Sequence, residues 1–203
     1  MSFRRRSPTS KTVCIINAHP DPSPDRLIHA ICDAAEAGAR GAGHTVSRIN
    51  IGALDFPLLT TAEEFAEPPV EPILSERAKI ADADHVFIAF PLWIGAMPAK
   101  ARAFFEQAAR ADFFIVQEGD EVGWPVQLMK GKSAHIVVTM GMPSLVYRFG
   151  MDAGAVKALE RALLGLSGFS PVNHTIIGGI GSKTDDDRAK ILKQMADLGA
   201  KAH

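Results

Sequence analysis

The chain is poor in cysteine, holding only Cys14 and Cys32 in 203 residues, which excludes the disulfide framework of a small secreted fold. Both lie in apolar segments, as buried thiols of a reducing compartment do. Neither sign of charge is in excess: Lys and Arg number 22, Asp and Glu 23, for a net charge of −1. A broad nucleic-acid surface needs a basic field and is excluded. No apolar run reaches the roughly 20 residues of a membrane helix. Arg4, Arg5 and Arg6 are followed by Val13-Cys14-Ile15-Ile16, which runs straight into His19-Pro20; that is too short for the apolar region of a twin-arginine export signal. There is no internal repeat, no low-complexity linker, no Gly-x-Gly-x-x-Gly and no Walker A loop. Residues 1–11 read as a flexible tail, residues 12–203 as one domain, and the location as cytoplasmic.

What is present is globular. The hydrophobic fraction is 47% and the charged fraction 22%, close to the averages of folded domains. Short apolar runs alternate with longer helical patterns. Strands are expected at Thr12–Asn17, Thr45–Ile51, His85–Phe90, Ala134–Thr139 and Val172–Ile177. Helices are expected at Pro24–Ala42, Glu71–Asp82, Pro98–Arg110, Met151–Gly168 and Thr184–Ala200, with a short one near Glu63–Phe65. Phe113–Gly131 is mixed, with Gly119 and Gly123 marking turns. This alternation implies an α/β fold: a five-stranded parallel sheet with helices on both faces. Ligands of such sheets bind outside the carboxyl ends of the strands, where strand order reverses. That rule singles out the loops after Asn17, Phe90 and Thr139.

The first loop, Asn17-Ala18-His19-Pro20-Asp21-Pro22-Ser23-Pro24-Asp25-Arg26, leads from a strand into a helix. Ser23 suits the N-cap, Pro24 the first turn, and Asp25 the positive end of the helix dipole. Free N–H groups at a helix start bind phosphate, and His19, Ser23 and Arg26 add donors. Asp21 and Asp25 repel an anion, so a well-capped helix with a rigid entry is an equal reading. The second loop, Pro91-Leu92-Trp93-Ile94-Gly95-Ala96-Met97-Pro98, is apolar and stiffened by two prolines. Such a loop at a strand end is covered by something flat or apolar, or by a neighbouring subunit. The third runs Thr139-Met140-Gly141-Met142-Pro143-Ser144-Leu145-Val146-Tyr147; Gly141 lets its backbone be approached closely, and Tyr147 is the only tyrosine.

Phe-Pro-Leu-Trp followed by Met-Pro-Ala, with the strand and Ala18-His19-Pro20 before it and Thr139 to Tyr147 after it, resembles the NAD(P)H:quinone oxidoreductase family of flavodoxin-like fold. The resemblance spans about residues 12–180. It implies an enzyme that passes a hydride from NAD(P)H through a bound flavin to a quinone or another flat electrophile. By family habit the flavin is FAD, with FMN the alternative, and a second subunit completes the pocket of a homodimer. It further implies that His19, Ser23, Asp25 and Arg26 hold phosphate. Pro91, Leu92, Trp93, Ile94 and Gly95 would pack on the ring, and Thr139, Met140, Gly141 and Met142 would bond its polar edge. Tyr147 matches the family's active-site tyrosine, whereas Asp152, Ala153 and Gly154 stand where its catalytic histidine would follow.

Two other readings share parts of this pattern. Ala18-His19-Pro20-Asp21 is similar to the start of the zinc-dependent deacetylase motif, but Pro22 replaces its second acid and the other histidines are scattered. A flavin-binding regulatory subunit of a potassium-efflux system would share the fold.

Overall fold

The structure is a computed structural model that describes residues 10–117 and 123–203; the expected turn at Gly119 lies outside these. Among the described residues seven strands form: β1 (Thr12–Asn17), β2 (Thr45–Asn50), β3 (His85–Pro91), β4 (Ile115–Val116), β5 (Val126–Gln127), β6 (Ser133–Thr139) and β7 (Val172–Ile177). Six α-helices among the described residues accompany them: α1 (Leu27–Gly41), α2 (Ala62–Ala66), α3 (Ile73–Asp82), α4 (Ala99–Ala108), α5 (Gly154–Lys157) and α6 (Asp185–Lys201). Five strands make one sheet in the order β2-β1-β3-β6-β7, every pairing parallel. The described residues of the mixed stretch supply β4 and β5, a separate antiparallel pair.

Period-two alternation along the central strands builds two cores. Cys14, Ile16, Ile88 and Phe90 face α3, α4 and α5, where they meet Ile80, Phe104 and Val156. Val13, Ile15, Phe87 and Ala89 face α1 and α6, where they meet Ile28, Ile31 and Met195. Strands covered on both faces read as unbroken apolar runs. Cys14 and Cys32 are sealed inside, and burial pushes both thiols up to about 12.

α1 and α6 cross closely enough to touch backbone to backbone. A Cβ at Gly38 would lie 1.9 Å from the Ala196 carbonyl oxygen, and one at Gly199 would lie 2.0 Å from that of Ala35. Only glycine allows this approach, and it fixes where the N-terminus of α1 points.

Several expectations are corrected. The first helix starts at Leu27, not Pro24. The fifth begins at Gly154 and continues from Ala158 to Gly165 as wider π turns. Ser10 and Lys11 are not free tail: the Ser10 hydroxyl donates to the Gly43 carbonyl (2.7 Å) and Lys11 Nζ to that of Ala202 (2.6 Å). The closing helix matches its pattern, with Thr184 and Asp187 forming a reciprocal capping box. Among the described residues, no helix is long and apolar enough to cross a membrane.

Candidate functional site

The strand order reverses between β1, whose chain next forms β2 on one side, and β3, on the other. The loops after β1, β3 and β6 emerge together at the carboxyl edge around this point.

The first loop is built around two side chains that bond their own backbone. Asn17 is buried; its Oδ1 accepts the His19 N–H (3.1 Å), while its Nδ2 donor is buried without a partner. His19 Nδ1 accepts the Asp21 N–H (3.0 Å). Burial pulls the His19 pKa below its ordinary value, so the ring is neutral at pH 7 and carries its proton on Nε2. Asp21 Oδ1 accepts the Ser23 N–H (2.8 Å), and its Oδ2 accepts from Arg26 Nε (2.7 Å) and Nη2 (2.6 Å). The Ser23 N–H first, and Arg26 second, hold this carboxyl below the usual range.

That arrangement explains why Ser23 is not the N-cap. Asp21 holds its N–H in an Asx turn, and Pro24-Asp25 form a further turn before the chain can coil. Arg26 takes the extended cap position, with no side-chain capping bond. The Ser23 hydroxyl is left free, Asp25 is exposed on the turn, and the N–H groups of Leu27 and Ile28 stand unpartnered at the helix start.

The second loop is a tight hairpin. Trp93 and Ala96 exchange backbone hydrogen bonds of 3.0 Å in both directions. Ile94 (φ 48°) and Gly95 (φ 74°) sit at the tip in left-handed conformation, as a type I′ turn requires. For a β-branched residue this conformation is strained. The Ile94 side chain is wholly exposed. Trp93, half exposed, stands edge-on to His19 with ring centroids 5.8 Å apart, joining the first two loops. Pro91 is buried as the last residue of β3, and the Leu92 N–H donates to the Thr139 carbonyl (2.8 Å), joining the second loop to the third.

In the third loop, Thr139 is buried and its hydroxyl bonds none of the described residues. Gly141 faces open space and its N–H is unspent. The Met142 carbonyl accepts from Gly179, and the loop lies flat on Gly178, where a Cβ would come 2.3 Å from the Ser144 nitrogen.

Two sequence expectations fail here for the same physical reason, burial. Met140 is locked into the sheet end: its N–H donates to the Ile177 carbonyl, its carbonyl accepts from Ile180, and its side chain is in the core. Tyr147 does not lie over the site. It is fully buried, and its hydroxyl accepts from the N–H groups of Ala155 (3.1 Å) and Val156 (3.3 Å) at the start of α5.

The model of a family described as having a flavodoxin-like fold matches residues 11–200. The chain belongs to this flavodoxin-like family. It is similar to an uncharacterized NAD(P)H oxidoreductase of Haemophilus influenzae, with 27% identity over 192 residues that cover 92% of this chain and 91% of that protein. Its fold is shared by the NAD(P)H:quinone oxidoreductase of Methanothermobacter marburgensis (22% identity, TM-score 0.77, 96% of this chain and 100% of that one). It is shared too by an FMN-dependent NADH-azoreductase of Bacillus anthracis solved in complex with FMN (15% identity, TM-score 0.71, 95% and 99%).

Around the loops of this flavodoxin-like chain lie features that inspection of the sequence missed. Phe149 and Met151 are exposed, and Met151 Cε would lie 3.1 Å from a Cβ at Gly95. Residues beyond the third loop therefore reach the tip of the second. A cavity of about 340 Å³ opens beside Ala96 and Met97, lined by Phe65, Phe105, Leu159 and Leu163. Nothing in the local sequence marks these positions; only the packing of α4 against the α5 segment brings them together. Among the described residues, no group of three or more histidines, cysteines and acids is arranged to hold a metal ion.

Proposed function

We propose that this chain is a flavin-dependent NAD(P)H oxidoreductase that reduces a quinone or a similarly flat electrophile. The observation that carries the reading is a set of unspent donors around an apolar corner at the strand-order reversal. The N–H groups of Ile94, Gly95 and Gly141 and the Thr139 hydroxyl bond none of the described residues, while Trp93 and Ile94 offer exposed apolar surface beside them. A flat heterocycle with one polar edge fits that chemistry. The phosphate end fits the first loop: the free N–H groups at the start of α1, the Ser23 hydroxyl, the His19 Nε2 proton and the orphaned Asn17 Nδ2 donor are what an anion needs.

A bound flavin would supply the acceptance and release of hydride. The chain's own residues bind, orient and exclude water. The Gly141 N–H and Thr139 would bond the ring's polar edge and favour negative charge there. Trp93, fixed against His19, would wall the pocket on one side, with Pro91 and Leu92 as the floor that ties the second loop to the third. Arg26 would turn from Asp21 to the phosphate. No side chain is assigned a proton-transfer step, since Tyr147 is buried and occupied. The flavin is proposed as FAD with FMN as the alternative, the latter supported by the FMN-bound azoreductase of like fold. A homodimer is supported by the exposed Trp93, Ile94, Phe149 and Met151, because apolar residues clustered beside a site are commonly covered.

The test is a visible spectrum of the purified protein, acid release and chromatography of the chromophore, and turnover of NADH and NADPH with a soluble quinone. The expected result is a flavin spectrum and quinone-dependent NAD(P)H oxidation. A colourless protein that takes up neither FAD nor FMN would sink the reading.

A further inference from the structure

A second cavity, of about 450 Å³, lies at the edge of the sheet and has no part in the chemistry above. It is bordered by Ser144 of the third loop and Arg148 just after that loop, by Thr175 of the edge strand β7, and by Lys183 and Gln194 beyond it. Unlike the cavity beside Met97, its walls are mostly polar.

Its charge comes from Arg148 and Lys183, neither of which makes a hydrogen bond or ion pair with a described residue. Two of the nearby acids are engaged, while Asp185 and Asp186 stand exposed in the first turn of α6. Glu160 pairs with His174 on the rim (3.2 Å). The Asp187 carboxylate accepts from the Thr184 N–H (3.1 Å) and hydroxyl (3.0 Å) and feels Lys183 only weakly. The Ser144 hydroxyl and Gln194 amide are also unspent. As an edge strand, β7 leaves its outer backbone groups without a strand partner. Two free cations, one a forked guanidinium, with neutral donors beside them, match a tetrahedral dianion such as a phosphate monoester.

The position of the cavity narrows the ligand. Ser144 is pressed on Gly178 in the same loop that presents Gly141 and Thr139 to the proposed ring site. The cavity is therefore a continuation of that loop toward the sheet edge. A flat redox ring with a phosphate monoester at the far end describes both FMN and NADPH. The flavin's phosphate is assigned to the first loop, which leaves NADPH; NADH has the ring but lacks the monoester. We propose that Arg148 and Lys183 form the subsite for the 2′-phosphate of NADPH and give the protein its preference for NADPH over NADH. This rests on the reading of the chain as an NAD(P)H oxidoreductase.

The experiment uses the flavin-loaded protein and the variants Arg148→Gln, Lys183→Gln and the double variant. Steady-state KM values for NADPH and NADH are measured with one quinone. Binding of 2′,5′-ADP, 5′-AMP and inorganic phosphate is measured by calorimetry, which does not depend on turnover. Wild-type protein is expected to favour NADPH. Each single variant is expected to raise the KM for NADPH about tenfold, the scale of one charged hydrogen bond, with kcat and the NADH values unchanged. Wild type should bind 2′,5′-ADP at least about tenfold tighter than 5′-AMP, and the double variant should lose that margin. Equal use of the two nucleotides, or a ratio unmoved by the variants, overturns the proposal. Inorganic phosphate bound as tightly as 2′,5′-ADP overturns it in favour of a free-anion site. Flavin loss from the variants with the ratio intact overturns it in favour of the flavin's own phosphate. If no nucleotide is oxidised, the functional reading fails, while the calorimetry still decides whether the cavity selects a 2′-phosphate.

Discussion

The Asp21 carboxylate grips the Arg26 guanidinium at 2.6 Å and the Ser23 N–H at 2.8 Å, so the first loop carries an anion of its own. A phosphate arriving there meets donors already in use and a negative charge that repels it. In Asp21→Asn, the amide oxygen still accepts the Ser23 N–H and keeps the turn, while Arg26 is released. Flavin affinity is expected to rise roughly fivefold, the scale of a partly exposed ion pair. The gain should shrink in high salt, which screens the repulsion in the wild type. Titration of flavin fluorescence at low and high salt checks this, and unchanged or weaker binding in the variant would count against Asp21 as a competing anion.

Tyr147→Phe separates a structural role from a catalytic one. The hydroxyl satisfies two N–H groups at the start of α5, and without it both are buried unpaired. Stability is expected to fall by about 1–3 kcal/mol in urea titration, with kcat for quinone reduction close to wild type. A collapse of kcat at unchanged stability would restore the tyrosine to the reaction.

Two histidines set the acid limit of the fold. His85 is buried with Nδ1 on the Ser133 hydroxyl (2.8 Å), and His135 is stacked on Phe87 with Nε2 on the Thr175 hydroxyl (2.9 Å). Burial, above all, holds their pKa values down to about 3 and about 4. The unfolded chain protonates both near pH 6.5 and the folded chain does not. Their contribution is thus fully present above pH 6.5 and is lost as pH falls toward 4. The slope per histidine is about 1.4 kcal/mol per pH unit. Urea midpoints measured from pH 7.5 to pH 4.5 should fall steeply below pH 6, and less steeply in His135→Gln. A flat profile would mean that these rings are protonated in the native state.

The strand Thr12–Asn17 coincides with its sequence expectation because a strand buried in a parallel sheet reads as a short apolar run whatever surrounds it. Val172–Ile177, the edge strand with Asn173 and His174 exposed, coincides through its β-branched residues. That the three loops meet at one edge was legible for a related reason: parallel strands joined by crossovers bring their carboxyl ends to the same side of the sheet. The entry to α1 was misread because Ser23 and Pro24 have the chemistry of a cap, and only the competing Asp21 side chain, reaching back two residues, shows why the helix waits until Leu27. Tyr147 was misread because its hydroxyl is taken by the Ala155 and Val156 N–H groups, eight and nine residues on, a contact that no periodicity reveals. Arg148 and Lys183 lie far apart in the chain, on opposite sides of β7, and become neighbours only when that strand takes the sheet edge.

Ile94 gives the last prediction, because its conformation and its exposure point in opposite directions. Its φ of 48° is one that a β-branched residue adopts at a cost, yet the side chain is wholly exposed and gains no burial in return. Asn-Gly is the preferred pair for a type I′ turn, so Ile94→Asn retains the hairpin and removes the strain. The variant is expected to be more stable by about 1 kcal/mol, read as a higher urea midpoint at unchanged slope. If the isoleucine is kept for its apolar surface, the same variant should bind quinone less well, seen as a higher KM for the acceptor with the KM for NAD(P)H unchanged. Gained stability together with a weakened acceptor site would identify Ile94 as a strained contact maintained for binding. A variant less stable than wild type would show that the tip gains from its side chain something that relief of the backbone strain does not replace.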